Sequence, residues 1–351
     1  MLALSALAAG CQNTTRRVLP LRLDRAMVRV PPDQEFIPGP TFRIATWNVG
    51  VFVDEFDDPY IESELDDGTT QWVPRGRDAR GLDSERLGAF AEGVRALEAD
   101  VLILQGFESP IYLRELAEEL FPNTGYRYFT SSKSLDTDRN TVLASRVPLG
   151  VFYSYRDVTT PIDGFIEEDG FTPSYQRQDN SQLWAVDVFV NKDYEFTLFG
   201  ARLREGDGPR NQGIRAGQVD LIQAQASRFL RERRRANIIV AGDLGARPGS
   251  DEVQRLRGAT GGVAFFDLLQ TSDDPTTSPL HRQYLMPNRN MVREYVPESV
   301  RIGPGLPPET WERVSPHQPV VAEFLANDTR RRSSLEGLPI PGFERRGDDP
   351  E

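Results

Sequence analysis

Residues 238–243 read Ile-Ile-Val-Ala-Gly-Asp, and the fold assignment starts from this stretch. Its apolar residues predict a buried strand. Residues 213–235 precede it, and the spacing of Ile214, Val219 and Phe229 among their apolar side chains predicts a long amphipathic helix. The predicted helix ends in a run of arginines, Arg231 and residues 233–235. Positive charge is favourable at the C-terminus of a helix because of the helix dipole. The alternative interpretation of these arginines is a nucleic-acid-binding patch.

Further strands and helices are predicted on both sides of this centre. Apolar or alternating runs predict strands at residues 42–47, 101–104, 126–130, 141–145, 183–190, 195–201 and 320–324. Asn191-Lys192-Asp193 separates two alternating runs and predicts a hairpin. Helical spacing predicts helices at residues 84–98 and 111–120, while residues 54–83 are acidic and predict a surface excursion. Because the elements interleave without a break, we predict one domain over residues 41–326, followed by a disordered tail at 327–351.

The charge balance argues against a polyanion as the partner. The chain has 351 residues and a formal net charge of −12. Proteins that grip nucleic acid usually show a basic footprint, because neutralised phosphates release counterions. The overall field of this chain repels polyanions, so nucleic acid is disfavoured as a partner.

The N-terminus resembles a bacterial lipoprotein signal. Residues 1–10 read Met-Leu-Ala-Leu-Ser-Ala-Leu-Ala-Ala-Gly, and Cys11, the single cysteine of the chain, follows directly. The resemblance implies that Cys11 carries a lipid and that residues 11–40 link this membrane anchor to the domain. No basic segment precedes the apolar one, so we expect a truncated signal. The expected location is the periplasmic or extracellular side of the bacterial envelope, with the outer membrane favoured by Gln12.

Six blocks, in order along the chain, resemble the endonuclease/exonuclease/phosphatase superfamily. The blocks are residues 43–48 (Arg-Ile-Ala-Thr-Trp-Asn), 100–105 (Asp-Val-Leu-Ile-Leu-Gln), 145–149 (Ser-Arg-Val-Pro-Leu), 199–203 (Phe-Gly-Ala-Arg-Leu), 238–243 and 315–321 (Ser-Pro-His-Gln-Pro-Val-Val). The resemblance implies an α/β fold, a four-layer α/β/β/α sandwich of two packed mixed β-sheets with outer helices. It also implies a site at the mouth of the sandwich, where Mg²⁺ or Mn²⁺ would assist the cleavage of phosphate esters.

The resemblance identifies three candidate catalytic residues and several departures. Asn48, Asp243 and His317 match the asparagine after the first strand, the central aspartate and the terminal histidine. Other family positions are changed: Gly106 replaces the metal-binding glutamate, Arg202 a histidine, Gly245 an asparagine, and Gln283 and Pro316 two aspartates. A hard cation that loses carboxylates loses its anionic ligands, so Asp243 alone would hold Mg²⁺ weakly.

Two groups of residues could compensate for the lost metal ligands. Glu108 lies two residues beyond Gly106, and a continued strand would place both on one face, making Glu108 a second candidate metal ligand beside Asp243. Arg202 and Arg282 could instead form an anion-binding site. The alternative for both arginines is ordinary ion pairing with the abundant acidic residues.

Two functions follow from these residues. The first is an envelope lipoprotein whose depleted metal site leaves it catalytically impaired, or a binding or scaffold module, without a cofactor. The second is an active phosphodiesterase, phosphatase or nuclease with a rewired site, which would take a phosphate-ester substrate and use Mg²⁺ or Mn²⁺. The loss of carboxylates favours the first function.

Overall fold

The computed structural model describes residues 39–53, 60–64, 70–74, 84–132, 140–162, 177–271 and 282–328. The strands in this part of the chain are β1 (Thr41–Phe52), β2 (Tyr60–Glu64), β3 (Thr70–Pro74), β4 (Val101–Phe107), β5 (Tyr128–Ser131), β6 (Asn140–Ser145), β7 (Leu149–Ser154), β8 (Thr159–Pro161), β9 (Arg177–Asp179), β10 (Leu183–Asn191), β11 (Tyr194–Arg202), β12 (Ile238–Asp243), β13 (Gln283–Pro287), β14 (Arg301–Ile302) and β15 (Val320–Leu325). The α-helices are α1 (Ser84–Leu97), α2 (Pro110–Leu120), α3 (Pro209–Glu232), α4 (Asp251–Leu256) and α5 (Pro308–Val314).

Two mixed sheets form the centre of the molecule. The first has the order β14-β15-β1-β4-β6-β5, with β1 and β4 parallel and the other pairs antiparallel. The second has the order β13-β12-β11-β10-β7, with β11 and β12 parallel. The parallel strands of each sheet therefore end on the same edge, and these edges carry the candidate site.

Three apolar clusters show that the sheets and helices stack in four layers. One cluster lies between the sheets and contains Ile44 and Ile103 of the first sheet together with Ile239 of the second. A second joins the outer face of the first sheet to α1, α2 and α5, and a third joins the outer face of the second sheet to α3 and α4. This is the predicted α/β/β/α sandwich with outer helices.

Local sequence explains why α2 follows β4 so closely. The Ser109 Oγ accepts a hydrogen bond from the Tyr112 backbone N–H at 3.0 Å, and Pro110 occupies the first helical turn. A serine cap followed by proline favours helix initiation at this point. The helix then buries Leu113, Leu116 and Ala117 against the first sheet.

The described elements confirm most of the sequence predictions and correct some bounds. The hairpin at 191–193 joins β10 to β11 as predicted. The prediction for the long helix was wrong at both ends, because α3 begins at Pro209 and ends at Glu232, before most of the arginine run. The predicted strand at 101–104 extends to Phe107. The surface excursion at 54–83 contains the strand pair β2–β3, and the strands β7 and β13 were not predicted.

Two further predictions concern residues outside the described part. Cys11 and its signal segment lie there, as does most of the predicted tail. No helix in the described residues is both long and apolar enough to cross a membrane.

Candidate functional site

The structure brings Asn48 and Asp243 into direct contact at the mouth between the sheets. Asn48 lies on β1 and Asp243 is the last residue of β12. The Asn48 Nδ2 donates a hydrogen bond to the Asp243 Oδ2 at 2.6 Å, and both side chains are buried. Because strands alternate their side chains, Asn48 points inward like Ile44 and Asp243 like Ile239. Two of the three predicted catalytic residues therefore form one buried pair.

Both oxygens of Asp243 accept hydrogen bonds from the protein. The Gly245 N–H donates to Oδ1 at 2.8 Å, opposite the bond from Asn48 to Oδ2. Burial raises the pKa of the Asp243 carboxyl above its ordinary value, and these two bonds together with the charge of His317 only partly offset this effect. The charge of Glu205 acts in the same direction as burial. A carboxylate in this setting is held by protein donors and is costly to ionise.

Gln283 forms a bridge where the family pattern has an aspartate. Its Oε1 accepts a hydrogen bond from the Asn48 backbone N–H at 2.9 Å. Its Nε2 donates to the Gln318 carbonyl at 2.6 Å. A carboxylate could accept the first bond but could not donate the second. The amide therefore connects β1, β13 and the loop before β15, a role that suits glutamine and not a metal-binding aspartate.

His317 lies in that same loop, beside the buried pair. Its backbone N–H donates to the Ser315 Oγ at 3.2 Å, and its carbonyl accepts from the Trp47 Nε1 at 2.9 Å. The charge of His317 lowers the pKa of Asp243, so the two groups are close enough to interact. Pro316 stands before it and supplies no carboxylate to orient the imidazole.

Gly106 occupies a backbone position that a glutamate could not take without rearrangement. Its φ is +85°, in the left-handed region that favours glycine. A Cβ atom at this position would lie 1.6 Å from the Gly50 carbonyl oxygen. The β1 backbone thus fills the space that a glutamate side chain would need. The backbone paths of β1 and β4 therefore fit glycine at position 106 and leave no room for the glutamate of the family pattern.

The strand alternation of β4 is interrupted at Gly106, just before Glu108. The pairings of β4 with β1 and with β6 both shift register between Gln105 and Phe107. Phe107 packs in the outer cluster with Leu104, whereas regular alternation would put them on opposite faces. Glu108 follows the end of β4, with its backbone N–H donating to the Phe52 carbonyl at 2.9 Å. With Phe107 on the outer face, the next residue of a continuing strand would face the opposite side, so Glu108 as a metal ligand stays a prediction.

Arg202 and Arg282 both face acidic residues of the segment 205–207. Arg202 ends β11 beside Asp243 in the strand register, and its guanidinium lies 2.8 Å from the Glu205 carboxylate. The Arg282 guanidinium is 3.9 Å from the Asp207 carboxylate. These ion pairs are the contacts expected from the alternative interpretation of the two arginines.

The donor set fits a divalent cation poorly. Mg²⁺ and Mn²⁺ favour oxygen ligands with negative charge. Among the described residues, no group of three or more His, Cys, Asp or Glu side chains could hold a metal ion. The Asn48 Oδ1 beside Asp243 belongs to a neutral amide and already accepts a hydrogen bond from the Gly50 N–H at 3.0 Å. The amides of Asn48 and Gln283 each use both their oxygen and their nitrogen in hydrogen bonds within the protein, and neither carries negative charge for a cation.

Two contributors to this arrangement were not predicted from the sequence. One is the Gln283 bridge and the other is the close approach of Gly50 to Gly106. The available signal was the residue type, since a glutamine and a glycine stood where the resemblance led us to expect acids.

Comparisons with known proteins agree with the observed architecture. Residues 45–312 match the Endonuclease/Exonuclease/phosphatase family. Comparison with curated protein sequences gave no match. An endonuclease/exonuclease/phosphatase from Bacteroides vulgatus is similar in structure, with a TM-score of 0.52, 13% identity, and coverage of 82% of this chain and 99% of that one.

Two further solved structures show the same fold. The human Nocturnin catalytic domain with a bound sulfate anion has a TM-score of 0.51, with 15% identity over 82% of this chain and 96% of that one. An endonuclease/exonuclease/phosphatase from Beutenbergia cavernae has a TM-score of 0.50, with 14% identity over 82% of this chain and 72% of that one. At these sequence identities the structural similarity establishes the fold only. The chemistry has to be inferred from the residues of the site.

Proposed function

Because the chain belongs to the endonuclease/exonuclease/phosphatase family, whose members usually use divalent metal ions, we propose that this member has lost the metal-dependent site and serves as a binding or scaffold module. The observation that carries the proposal is the backbone at Gly106. The carbonyl of Gly50 occupies the place where a glutamate side chain would begin. Loss of this ligand is therefore accompanied by a rearranged strand pairing, and restoring the acid would require both strands to move.

The amide bridge supports the same proposal. Gln283 uses its carbonyl and its amino group at once, so the site is stabilised by neutral hydrogen bonds. Asp243 accepts two protein hydrogen bonds and has a raised pKa. An active site of the family kind would need several carboxylates converging on one ion, in line with its role of stabilising charge on a phosphoryl group.

Calorimetry and a turnover assay on the full chain test the proposal. We expect no saturable binding of MgCl₂ or MnCl₂ that distinguishes the parent chain from Asp243→Ala, and no hydrolysis of bis-p-nitrophenyl phosphate with either metal. Glu108→Gln is the matched variant for a rewired site. Metal-dependent turnover that Asp243→Ala or Glu108→Gln abolishes, in variants with an unchanged circular dichroism spectrum, would establish an active phosphoesterase and overturn the proposal.

We also propose that the module is tethered to a bacterial membrane by a lipid on Cys11, with the outer membrane favoured. Support comes from the small residues Ala9 and Gly10 directly before the single cysteine. Mass spectrometry of the chain expressed in a bacterium with a working lipoprotein signal should show an acylated N-terminal Cys11. Cys11→Ala should release the protein from membranes, Gln12→Ala should leave it bound, and Gln12→Asp should keep it in the inner membrane. Recovery of Cys11→Ala in the membrane fraction contradicts the tether.

A further inference from the structure

Exposed arginines collect at the end of the sandwich opposite the candidate site. Arg231 is in the last turn of α3, and Arg234 and Arg235 follow the helix. Arg289 and Arg293 come from the segment after β13. All five are exposed, and we call this surface the arginine end. Such a cluster is notable on a chain with a net charge of −12.

Hydrogen bonds place these arginines together. The Asn290 Nδ2 donates to the Ala236 carbonyl at 3.0 Å, and the Asn288 Nδ2 donates to the same carbonyl at 3.0 Å. The segment with Arg289 therefore lies against the segment with Arg234 and Arg235. The segment with Arg234 and Arg235 precedes β12, and the segment with Arg289 follows β13, so both lie at the edge of the sheet where β12 begins. Asp243 lies at the other end of β12, about 17 Å away at ~3.3 Å per residue.

The chain also enters the sandwich at the arginine end. Thr41, the first residue of β1, pairs with Leu325 near the end of β15. The Asn191 Nδ2 at the β10–β11 hairpin donates to the Ala326 carbonyl at 2.7 Å and joins this corner to the second sheet. A cleft of about 450 Å³, lined by residues 233–235, residues 193–196 and Asp328, lies at the same corner. The residues that lead back toward Cys11 thus leave the described domain beside the arginines.

The helix dipole accounts for only one arginine of the cluster. The helix ends at Glu232, so only Arg231 lies in its last turn, where the dipole favours a cation. Arg233 is paired with Asp187 and Glu195, and Glu232 is paired with Arg228. Two of the nearby exposed acids, Glu195 and Glu232, are therefore already engaged with arginines outside the cluster. Asp193 is a further exposed acid at this corner, and Asp328 is half-buried there.

We propose that the arginine end is an interaction surface for anionic phospholipid headgroups. Arginine binds phosphate through a planar set of donors, and each basic side chain close to an anionic bilayer adds to the attraction. The surface adds to the tether proposed above but stands on the described arginines, whether or not Cys11 carries a lipid. With this end on a membrane, the mouth at Asn48 and Asp243 faces away from the bilayer, open to partners in solution.

Vesicle flotation with the full-length Cys11→Ala chain tests the proposal without the lipid anchor. The probes are phosphatidylcholine vesicles with and without about one third phosphatidylglycerol. We expect binding to the anionic vesicles that weakens with added salt. The triple variant Arg231→Gln, Arg234→Gln, Arg235→Gln should lower the partition coefficient on the order of 100-fold, from the usual contribution of a basic residue near a charged membrane.

A charge-matched control separates the patch from the overall charge. Arg204, Arg210 and Arg247 are exposed at the end of the domain that carries Asp243. Their replacement by Gln makes the same change in net charge and should reduce binding far less. Equal losses in the two triple variants, or no preference for anionic vesicles, would overturn the proposal. Tighter binding to a short DNA duplex than to the vesicles would assign the surface to nucleic acid and overturn it as well. None of these results depends on the metal assays.

Discussion

The Asp243 carboxylate is stabilised by hydrogen bonds and destabilised by its burial, and burial is the larger effect. Its pKa is raised above the ordinary value of an aspartate. Because the pKa is raised in the folded state, folding favours the protonated carboxyl. Its favourable contribution to the free energy of unfolding is complete below the unfolded-state pKa and is lost as the pH rises through the folded-state pKa. At neutral pH, the ionised Asp243 therefore costs stability that a neutral side chain would not.

Asp243→Asn should consequently gain stability relative to the parent as the pH rises from about 4 to about 7, a range that begins near the unfolded-state pKa of aspartate. Urea denaturation at several pH values measures the difference in the free energy of unfolding. Asp157→Asn, which removes an exposed carboxylate, controls for the loss of one negative charge. If the difference in the free energy of unfolding does not change with pH, or favours the parent more at higher pH, then burial does not destabilise the ionised Asp243 as described.

Gly106→Glu should destabilise the fold and fail to create a metal site. The positive φ disfavours any side chain there, and the new Cβ would overlap the Gly50 carbonyl oxygen. We expect a loss of about 3 kcal/mol or more in the free energy of unfolding, from backbone strain and steric overlap together. Gly88→Glu is the control, since Gly88 is exposed on α1 and a Cβ there meets nothing within 4 Å. Tight Mg²⁺ binding by a stable Gly106→Glu variant would show that the strands adjust easily.

At the scale of elements, a buried ion pair joins α3 to α4 and supports the rim of the site. The Arg215 Nε lies 2.9 Å from the Glu252 Oε1, and the two side chains are only 3% and 8% exposed. Arg215 also donates to the carbonyls of Arg204 and Gly206, which flank Glu205. The pair therefore positions the segment whose acidic residue acts on Asp243.

Glu252→Gln should cost about 3–5 kcal/mol, because it leaves a buried guanidinium without its counterion. The double variant Arg215→Met, Glu252→Gln should cost less than the sum of the single changes, since both remove the same interaction. Glu232→Gln, in the exposed pair with Arg228, is the control and should change stability by less than about 1 kcal/mol. Chemical denaturation of five chains gives the comparison: the parent, Glu252→Gln, Arg215→Met, the double variant and Glu232→Gln. Additive losses would show that the buried pair contributes no coupling.

The strands whose sequence shows the clearest signal are those buried on both faces. β4 and β12 are continuous apolar runs because helices cover one face and the other sheet covers the second. β7 lies at a sheet edge and is partly exposed, and β13 ends in proline at the other edge, so neither shows a regular pattern. Elements at edges depend on neighbours that the local sequence does not specify.

The candidate site could be predicted in its residue positions but only partly in its contacts. The motif resemblance identified Asn48 and Asp243, which are 195 positions apart. Their hydrogen bond depends on how the two sheets face each other. The Gln283 bridge depends on three separate segments meeting at one amide. The bulge at Gly106 shifts the strand register between Gln105 and Phe107, and only the glycine itself indicated it in the sequence.

At the scale of the whole molecule, the two ends of the sandwich differ in construction. The mouth is lined by buried amides around one carboxylate, whereas the opposite end presents the arginine cluster. Because the strands run rigidly from one end to the other, an orientation imposed at the arginine end also sets the direction of the mouth. A scaffold module on a membrane would need this division, with one end for the lipid surface and the other for its partner.

The proposed loss of the metal-dependent site should be visible in the thermal stability of the whole chain. A ligand that binds only the folded state raises stability by RT ln(1 + [L]/Kd), about 2.7 kcal/mol at a concentration 100 times Kd, which would raise the Tm by several degrees. With one carboxylate already held by Asn48 and Gly245, we expect neither millimolar MgCl₂ nor EDTA to shift the Tm of the parent chain. Differential scanning calorimetry makes the measurement, with Asp243→Ala as the control. A rise of several degrees with Mg²⁺ in the parent, absent in Asp243→Ala, would show that the mouth holds the ion after all, because only a site-specific ion separates the two chains in this way.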